Sequence, residues 1–321
     1  MYQSFEKLYY FIKRVTDMEQ QNQHPVHKIY FWKFEDAQGG IRKRYIKSYF
    51  HEVRDLLPYH THDFFEINIV WQGAGKHLIE QQEILTQKGD VFVIPPHVRH
   101  GYACKDSLTV YHILLSQNFM YAFAPYLEAL PGYRMLFSIE PVLRSRIEKA
   151  YYLKQENVSF ELLRQYIRLI GEDLPGVSAD NEPQSALHVC SLIAALSGQM
   201  NVLRPMPVEE LPEAHALTLI ESMEYIAAHS AEKISFQQAA ERCAISYSTY
   251  LRLFRKVAGV TPTEYQLNCR IENAARMLHG TNETILSIAL SCGFYDSSHF
   301  IREFIREKGC SPSEYRKQMQ M

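Results

Sequence analysis

The chain has 321 residues, 46% of them hydrophobic and 22% charged, with a formal net charge of −2. Those values describe a folded globular protein long enough for two domains, and exclude a fibrous, collagenous or natively unfolded chain. No apolar run approaches the roughly 18 residues that would span a bilayer, and the opening MYQSFEKLYYFIKR lacks the basic-then-apolar order of a secretory signal, so a cytoplasmic protein without a membrane partner is expected. The six cysteines, at 104, 190, 243, 269, 292 and 310, have no CxxC spacing, which argues against both a zinc finger and a disulfide framework.

The first 130 residues are rich in Tyr, Phe, Val and Ile and are punctuated by AQGG and QGAG, as strands joined by turns would be. Nine of the 14 histidines lie before residue 113. The stretch HTHDFFEINIVWQG places His60, His62 and Glu66 at even spacing, so on a strand all three face one side. Farther on, GDVFVIPPHVRH offers His97 and His100. Imidazole with carboxylate suits iron, manganese, nickel or zinc. The same residues could equally line a polar ligand pocket, or simply satisfy one another's hydrogen bonds at a barrel rim.

These two stretches resemble the two sequence motifs of the cupin barrel, which implies an N-terminal β-barrel with a ligand site at its mouth. The two motifs nominate His60, His62, Glu66, His97 and His100 for effector binding, and a ligand pocket at the barrel mouth would add the aromatic Tyr59, Trp71 and Tyr102. His60, His62, Glu66 and His100 are the set that would hold a divalent metal; no cofactor is required. His97 stands where the second motif usually has Gly.

Apolar residues at three- and four-residue spacing, such as Leu143, Ile147 and Tyr151, then Leu162, Tyr166 and Ile170, predict helices over 140–170 and 184–200. Residues 201–213, NVLRPMPVEELPE, carry three prolines and three acids without helical periodicity and read as a semi-extended linker. The expected organisation is therefore a two-domain α+β chain. Residues 1–200 form a cupin-like unit, with its barrel at about 25–120 and a helical dimerisation segment at about 140–200. Residues 201–214 form the linker, and 215–321 form an all-α domain with two helix-turn-helix units.

The last third says nearly the same thing twice, GVTPTEY at 259–265 and GCSPSEY at 309–315. Each phrase is a hydroxyl residue followed by Pro, one residue and Glu: a capping box with Pro at the first helical position, where its missing N–H costs nothing. The Gly before each suits the left-handed residue that closes a preceding helix. The agreement extends upstream at the same offset, pairing Ala239 with Ala289, Ser248 with Ser298, Tyr250 with Phe300, Arg252 with Arg302 and Phe254 with Phe304. Tyr250, Leu253, Phe254 and Val257 make one apolar face, so Ser248, Leu251, Arg252 and Arg255 turn outward; in the second copy Ser297, Ser298, Ile301 and Arg302 do the same. A long helix over 262–279, stopped by Gly280, would hold the two units about 34 Å apart, the spacing of successive major grooves.

Residues 216–317 resemble the DNA-binding domain of the AraC/XylS family of transcription regulators along their full length, in FQQAAERCAISYSTYLRLFRKVAGVTPTEYQLNCRIENAARML and ILSIALSCGFYDSSHFIREFIREKGCSPSEYRK. The resemblance implies a DNA-binding regulator rather than an enzyme. It nominates Ser248, Leu251, Arg252, Ser297, Ser298, Ile301 and Arg302 as groove-facing, and the outward position of Arg255 on the wheel adds it to the DNA-binding set. It also implies promoter DNA and RNA polymerase as partners, a homodimer, often an activator, and a small effector that is often a carbohydrate. Glu303 stands where that family usually has a small residue. The rival reading is a metal-binding cupin, as a metal-sensing regulator or as a metallo-enzyme fused to a DNA-binding domain. Residues 215–321 carry 12 Lys and Arg against 11 Asp and Glu, so any basic footprint must be local.

Overall fold

The computed structural model describes residues 30–34, 45–146, 153, 159–171, 182–202 and 213–320. The N-terminal part is a curled antiparallel sheet of eight strands. They are β1 (Tyr30–Trp32), β2 (Ile46–Val53), β3 (Leu56–His62), β4 (Phe65–Ile79), β5 (Gln82–Gln87), β6 (Val91–Ile94), β7 (His100–Ala103) and β8 (Leu108–Leu115). The order is β1-β3-β7-β4-β8-β2, with β5 and β6 also paired to β4. Strand β4 is the spine. Its first half pairs with β8 and β6 and its second half with β5 and β7, and the register shift between Val70 and Gln72 bends it where the sheet must curl.

Alternation along the strands produces two apolar faces. Ile67, Ile69, Val91, Val93, Ile113 and Leu115 point outward under the helices, while Val53, Leu57, Val70, Phe92, Tyr102, Leu108 and Val110 fill the inside of the half-barrel. Helix α1 (Gln117–Leu127) starts at Ser116, whose hydroxyl accepts the Phe119 N–H. A π-helical turn, Met135–Ile139, runs straight into α2 (Glu140–Arg146). Helices α3 (Phe160–Gly171) and α4 (Glu182–Val202) then pack against one another. The sequence predicts one helical stretch over 140–170, but its middle, 147–152 and 154–158, lies outside the described residues. Most of the expected linker, 203–212, lies outside them as well, and α4 and the next helix extend to its two ends.

The C-terminal part is helical: α5 (Glu213–Ala228), α6 (Phe236–Arg242), α7 (Tyr247–Ala258), α8 (Pro262–Gly280), α9 (Ile285–Ser291), α10 (Ser297–Lys308) and α11 (Pro312–Gln320). The starts of α6 to α11 carry capping groups. Ser235, Ser246, Thr284 and Asp296 accept from the backbone three residues on. The capping boxes are complete, with Thr261 and Ser311 each exchanging bonds with Glu264 and Glu314. Gly259 and Gly309 end α7 and α10 in the left-handed conformation. Helix α8 ends one residue later than expected: Gly280 is its last helical residue, and Thr281 caps it in an extended conformation. No helix among the described residues is long and apolar enough to cross a membrane.

Candidate functional site

Two helix-turn-helix units, α6–α7 and α9–α10, flank α8. Tyr250, Phe254, Phe300 and Phe304 are buried, and Tyr250 donates to or accepts from Ser222 at 2.7 Å. On the other side of each second helix, Ser248, Arg252, Arg255, Ser298 and Arg302 are exposed. Leu251, Ser297 and Ile301 are half-buried, with Leu251 and Ile301 packed on their own units' cores. Glu303 is not a free groove-facing acid, because it pairs with Arg306 at 2.7 Å and faces His299 at 3.7 Å.

The loop after α5 ties the two units together. Gln266 and Arg270 of α8 both donate to the Ser230 and Glu232 carbonyls, over 2.6–3.1 Å, and Asn273 donates to the Ser230 hydroxyl at 3.0 Å. Gly293, in the turn of the second unit, lies directly against the Ala231 carbonyl between those two clamped residues. The sensor side also touches this domain. Helix α1 packs on α8, and α2 packs on α7. The Tyr121 and Tyr315 hydroxyls are 2.7 Å apart, Tyr315 donates to Gln117 at 3.3 Å, and Glu128 pairs with Arg276.

Inside the half-barrel, His60, His62, Glu66 and His100 are all buried and form one cluster. The His62 Nε2 lies 3.2 Å from His100 Nε2 and 3.5 Å from Glu66 Oε2, and His100 Nε2 lies 3.4 Å from the same oxygen. His60, Glu66 and His100 each bring a ligand atom within 4.8 Å of the others. The ring tautomers follow from the backbone: His60 donates its Nδ1–H to the Pro58 carbonyl at 3.0 Å and His62 to the Phe64 carbonyl at 2.7 Å. As neutral rings, both must then present a lone pair at Nε2. His112 donates to the other oxygen of Glu66, Oε1, at 2.7 Å.

Burial drives the His60 imidazole down to about 4 and holds His77 and His100 well below the usual histidine range. For Glu66, burial alone would raise the carboxyl's pKa. The attraction of His112 and the hydrogen bonds around it outweigh that, and the group stays well below the ordinary carboxylate range. Of the three acceptors His60 Nε2, His62 Nε2 and Glu66 Oε2, the last accepts from the Asn68 amide at 3.3 Å, and a proton on His100 Nε2 can serve only one imidazole, which leaves His60 Nε2 without a donor among the described residues. An acceptor excess held by carbonyl-anchored imidazoles is the arrangement that a divalent cation fills.

The remaining nominated residues are dispersed. Tyr102 is buried in the interior, where Asn68 donates to its hydroxyl at 3.1 Å. Tyr59 is half-buried under the Arg99 guanidinium at the rim. Trp71 is on the opposite face of β4, packed against Phe50 and Phe160 beneath the helices, so it is not a wall of the interior. His97 is exposed, its ring facing Phe31, and its φ of 65° is the left-handed conformation that explains why Gly is usual there. Sequence reasoning missed Trp32, stacked on His60 at 3.9 Å, and the buried His77 and His112. It also missed Tyr49, stacked on His112 at 5.0 Å. The inward parity of β4 and β8 was the signal available for His112, which pairs across from Asn68.

A polar-lined half-barrel joined to two exposed reading helices defines a DNA-binding regulator that carries its own ligand-binding domain. Residues 47–196 match a family model described as an AraC-like ligand binding domain, and residues 239–318 match one described as a helix-turn-helix domain. The chain thus combines an AraC-type helix-turn-helix domain with an AraC-like ligand-binding domain and is homologous to AraC-family activators. It is 28% identical to the HTH-type transcriptional activator RhaS of Escherichia fergusonii over 291 residues, covering 91% of this chain and 96% of that protein. To the RhaS of an Enterobacter species it is 28% identical over 260 residues, covering 81% and 87%. Among solved structures it is similar to an AraC-type DNA-binding transcriptional regulator of Chromobacterium violaceum, with 29% identity and a TM-score of 0.31. That alignment covers 32% of this chain and 93% of the other.

Proposed function

We propose that this protein is a cytoplasmic, homodimeric transcription activator whose α7 and α10 read two successive major grooves of promoter DNA, under the control of a small effector bound in the half-barrel. The observation that carries the reading is the matched pair of surfaces: Ser248, Arg252 and Arg255 on one helix, Ser298 and Arg302 on the other, exposed on units clamped to one connecting helix. A guanidinium bonded to guanine O6 and N7 gives Arg252 and Arg302 the role of base readers. Activation, by contact with RNA polymerase, follows from the likeness to the activators above. A carbohydrate effector follows from the family resemblance. The protein acts by binding, not as an enzyme. The test is selection of genomic fragments by the purified protein, followed by footprinting. Two protected segments about one helical turn apart support the reading; a single segment, or none, refutes it.

A second reading of the half-barrel, favoured by the two carbonyl-anchored imidazoles, is that His60, His62, Glu66 and His100 hold a divalent transition metal, with His112 orienting Glu66 from behind. Nitrogen and carboxylate donors suit zinc, iron, manganese or nickel. Such an ion would supply a Lewis-acidic point for the oxygen atoms of an effector. Stoichiometric metal in the purified protein, lost in the double variant His60→Ala, His62→Ala, is the expected result. A metal-free protein with intact promoter binding eliminates this reading and leaves the first one standing.

A further inference from the structure

Arg144 is the most costly residue in the sensor. Its side chain is fully buried, although an arginine is almost never so without matched partners. It reaches from α2 to the edge of β6, where it donates to the Val93 carbonyl, and its guanidinium lies 5.2 Å from the centre of the Phe92 ring on the inside of the sheet. Among the described residues its Nε–H and its NH1 amino group have no hydrogen-bond acceptor. The carboxylate that pairs with it among the described residues is Glu140, one turn back on α2 and 3.6 Å from NH1. Glu140 is itself buried, and burial, against the pull of Arg144, pushes its carboxyl above the usual carboxylate range, which weakens it as a counter-charge.

Beyond Phe92 the line of rings continues inward. His77 lies 4.4 Å from Phe92, stacks on Tyr102 at 4.7 Å and faces His100 at 5.9 Å. Among the described residues both ring nitrogens of His77 lack partners, as does the Asn68 side-chain oxygen. A buried polar lining left unsatisfied in this way is a specification for something that brings the missing groups, and at Arg144 the missing group is an anionic acceptor. The same short helix α2 that carries Arg144 packs on α7.

We propose that Arg144 is an effector-binding residue of the half-barrel, that the effector carries a carboxylate which Arg144 binds, and that α2 passes occupancy of this site to the first reading helix. The proposal rests on the reading of the half-barrel as the effector site. It narrows a carbohydrate effector to an acidic one, or to another small hydroxylated carboxylate. Formation of the new pair exchanges the weak contact to Glu140 for a full counter-charge and repositions α2 against α7.

The test uses full-length protein and the probes formate and acetate, with acetamide and chloride as neutral and ionic controls at constant ionic strength. Thermal unfolding should rise saturably, by 2 °C or more, with the two carboxylates only. Arg144→Met should abolish the response, and Arg144→Lys should keep part of it. Acetate acting no differently from acetamide and chloride overturns the proposal, as does an unchanged response in Arg144→Met. Stabilisation by inorganic phosphate without carboxylates overturns the assignment of the ligand class. Should Arg144→Met fail to fold, Glu140→Gln serves in its place: it removes the competing acid and should respond at an equal or lower acetate concentration, and loss of its response refutes the site. Binding of the selected genomic fragments is measured in the same samples. In the wild type, saturating acetate should change fragment affinity at least threefold, and no change sinks the relay through α2. A carboxylate response in protein that binds no DNA would sink the regulator reading and leave the Arg144 site standing.

Discussion

Replacing Gly293 by alanine probes the joint between the two DNA-reading units. Gly293 has a φ of 83°, and a Cβ built there would sit 2.2 Å from the Ala231 carbonyl oxygen and 2.7 Å from both its carbon and its Cα. The obstacle is backbone, and it cannot yield cheaply, because the Ser230 and Glu232 carbonyls on either side are held by Gln266 and Arg270. The left-handed conformation costs an alanine about 1–2 kcal/mol, and forcing a methyl group into filled space adds about 1–3 kcal/mol. Gly309 provides the control: its φ is 74°, yet an added Cβ there meets nothing within 4 Å. Gly309→Ala should therefore show only the conformational cost, and Gly293→Ala should lose roughly 1–3 kcal/mol more in chemical denaturation. In a footprint, Gly293→Ala should keep the segment protected by α7 and lose or shift the one protected by α10. Equal stabilities for the two variants, within 0.5 kcal/mol on the order of ordinary mutational scatter, would refute the clash, and an unaltered double footprint would refute the role of the joint.

Three further outcomes are expected. Arg302→Ala should flatten preference at one base pair by about 1–3 kcal/mol in a single-substitution binding series, whereas a uniform loss across all sequences would make Arg302 a phosphate contact. Tyr315→Phe removes the hydroxyl shared with Tyr121 and Gln117 and should weaken the hold of α1 on α11 by about 0.5–1.5 kcal/mol; faster protease cleavage between the two parts would register it. Glu140 binds its proton more tightly folded, at about 8, than unfolded, at 4.5, so its favourable contribution is complete below pH 4.5 and is lost as pH rises through 8. Glu140→Gln should accordingly flatten the decline in stability between pH 5 and 8, and an identical profile would remove Glu140 as its source.

The helical third was legible almost residue by residue, because its signals are local. A Ser, Thr or Asp cap, a Pro at the first helical position and apolar residues at three- and four-residue spacing each fix a helix within one turn of chain. The parity of His60, His62 and Glu66 was legible for the same reason, since it depends on one strand. What could not be read is what other strands bring. His112 had the parity of β8 to mark it as inward, but its meeting with Glu66 depends on pairing with β4; His77 lies beyond the register shift of β4, where alternation from Glu66 gives the wrong face, and Trp32 arrives on β1. Trp71 was legible as outward, since it shares the parity of Ile67 and Ile69 and is opposite to Glu66 and Val70 on the same strand; its aromatic character alone made it look like a pocket wall. Arg144 was invisible: on a wheel it is one more charged residue of an amphipathic helix, and only the edge of β6 makes it an interior one.

The Tyr121–Tyr315 and Glu128–Arg276 contacts join the part that senses to the part that reads, and a junction between two binding sites works in both directions. Whatever free energy the small molecule contributes toward holding a promoter, the promoter returns toward holding the small molecule. Operator occupancy therefore shifts the metabolite concentration at which the half-barrel fills, in the same direction and by the same factor as the metabolite shifts operator affinity.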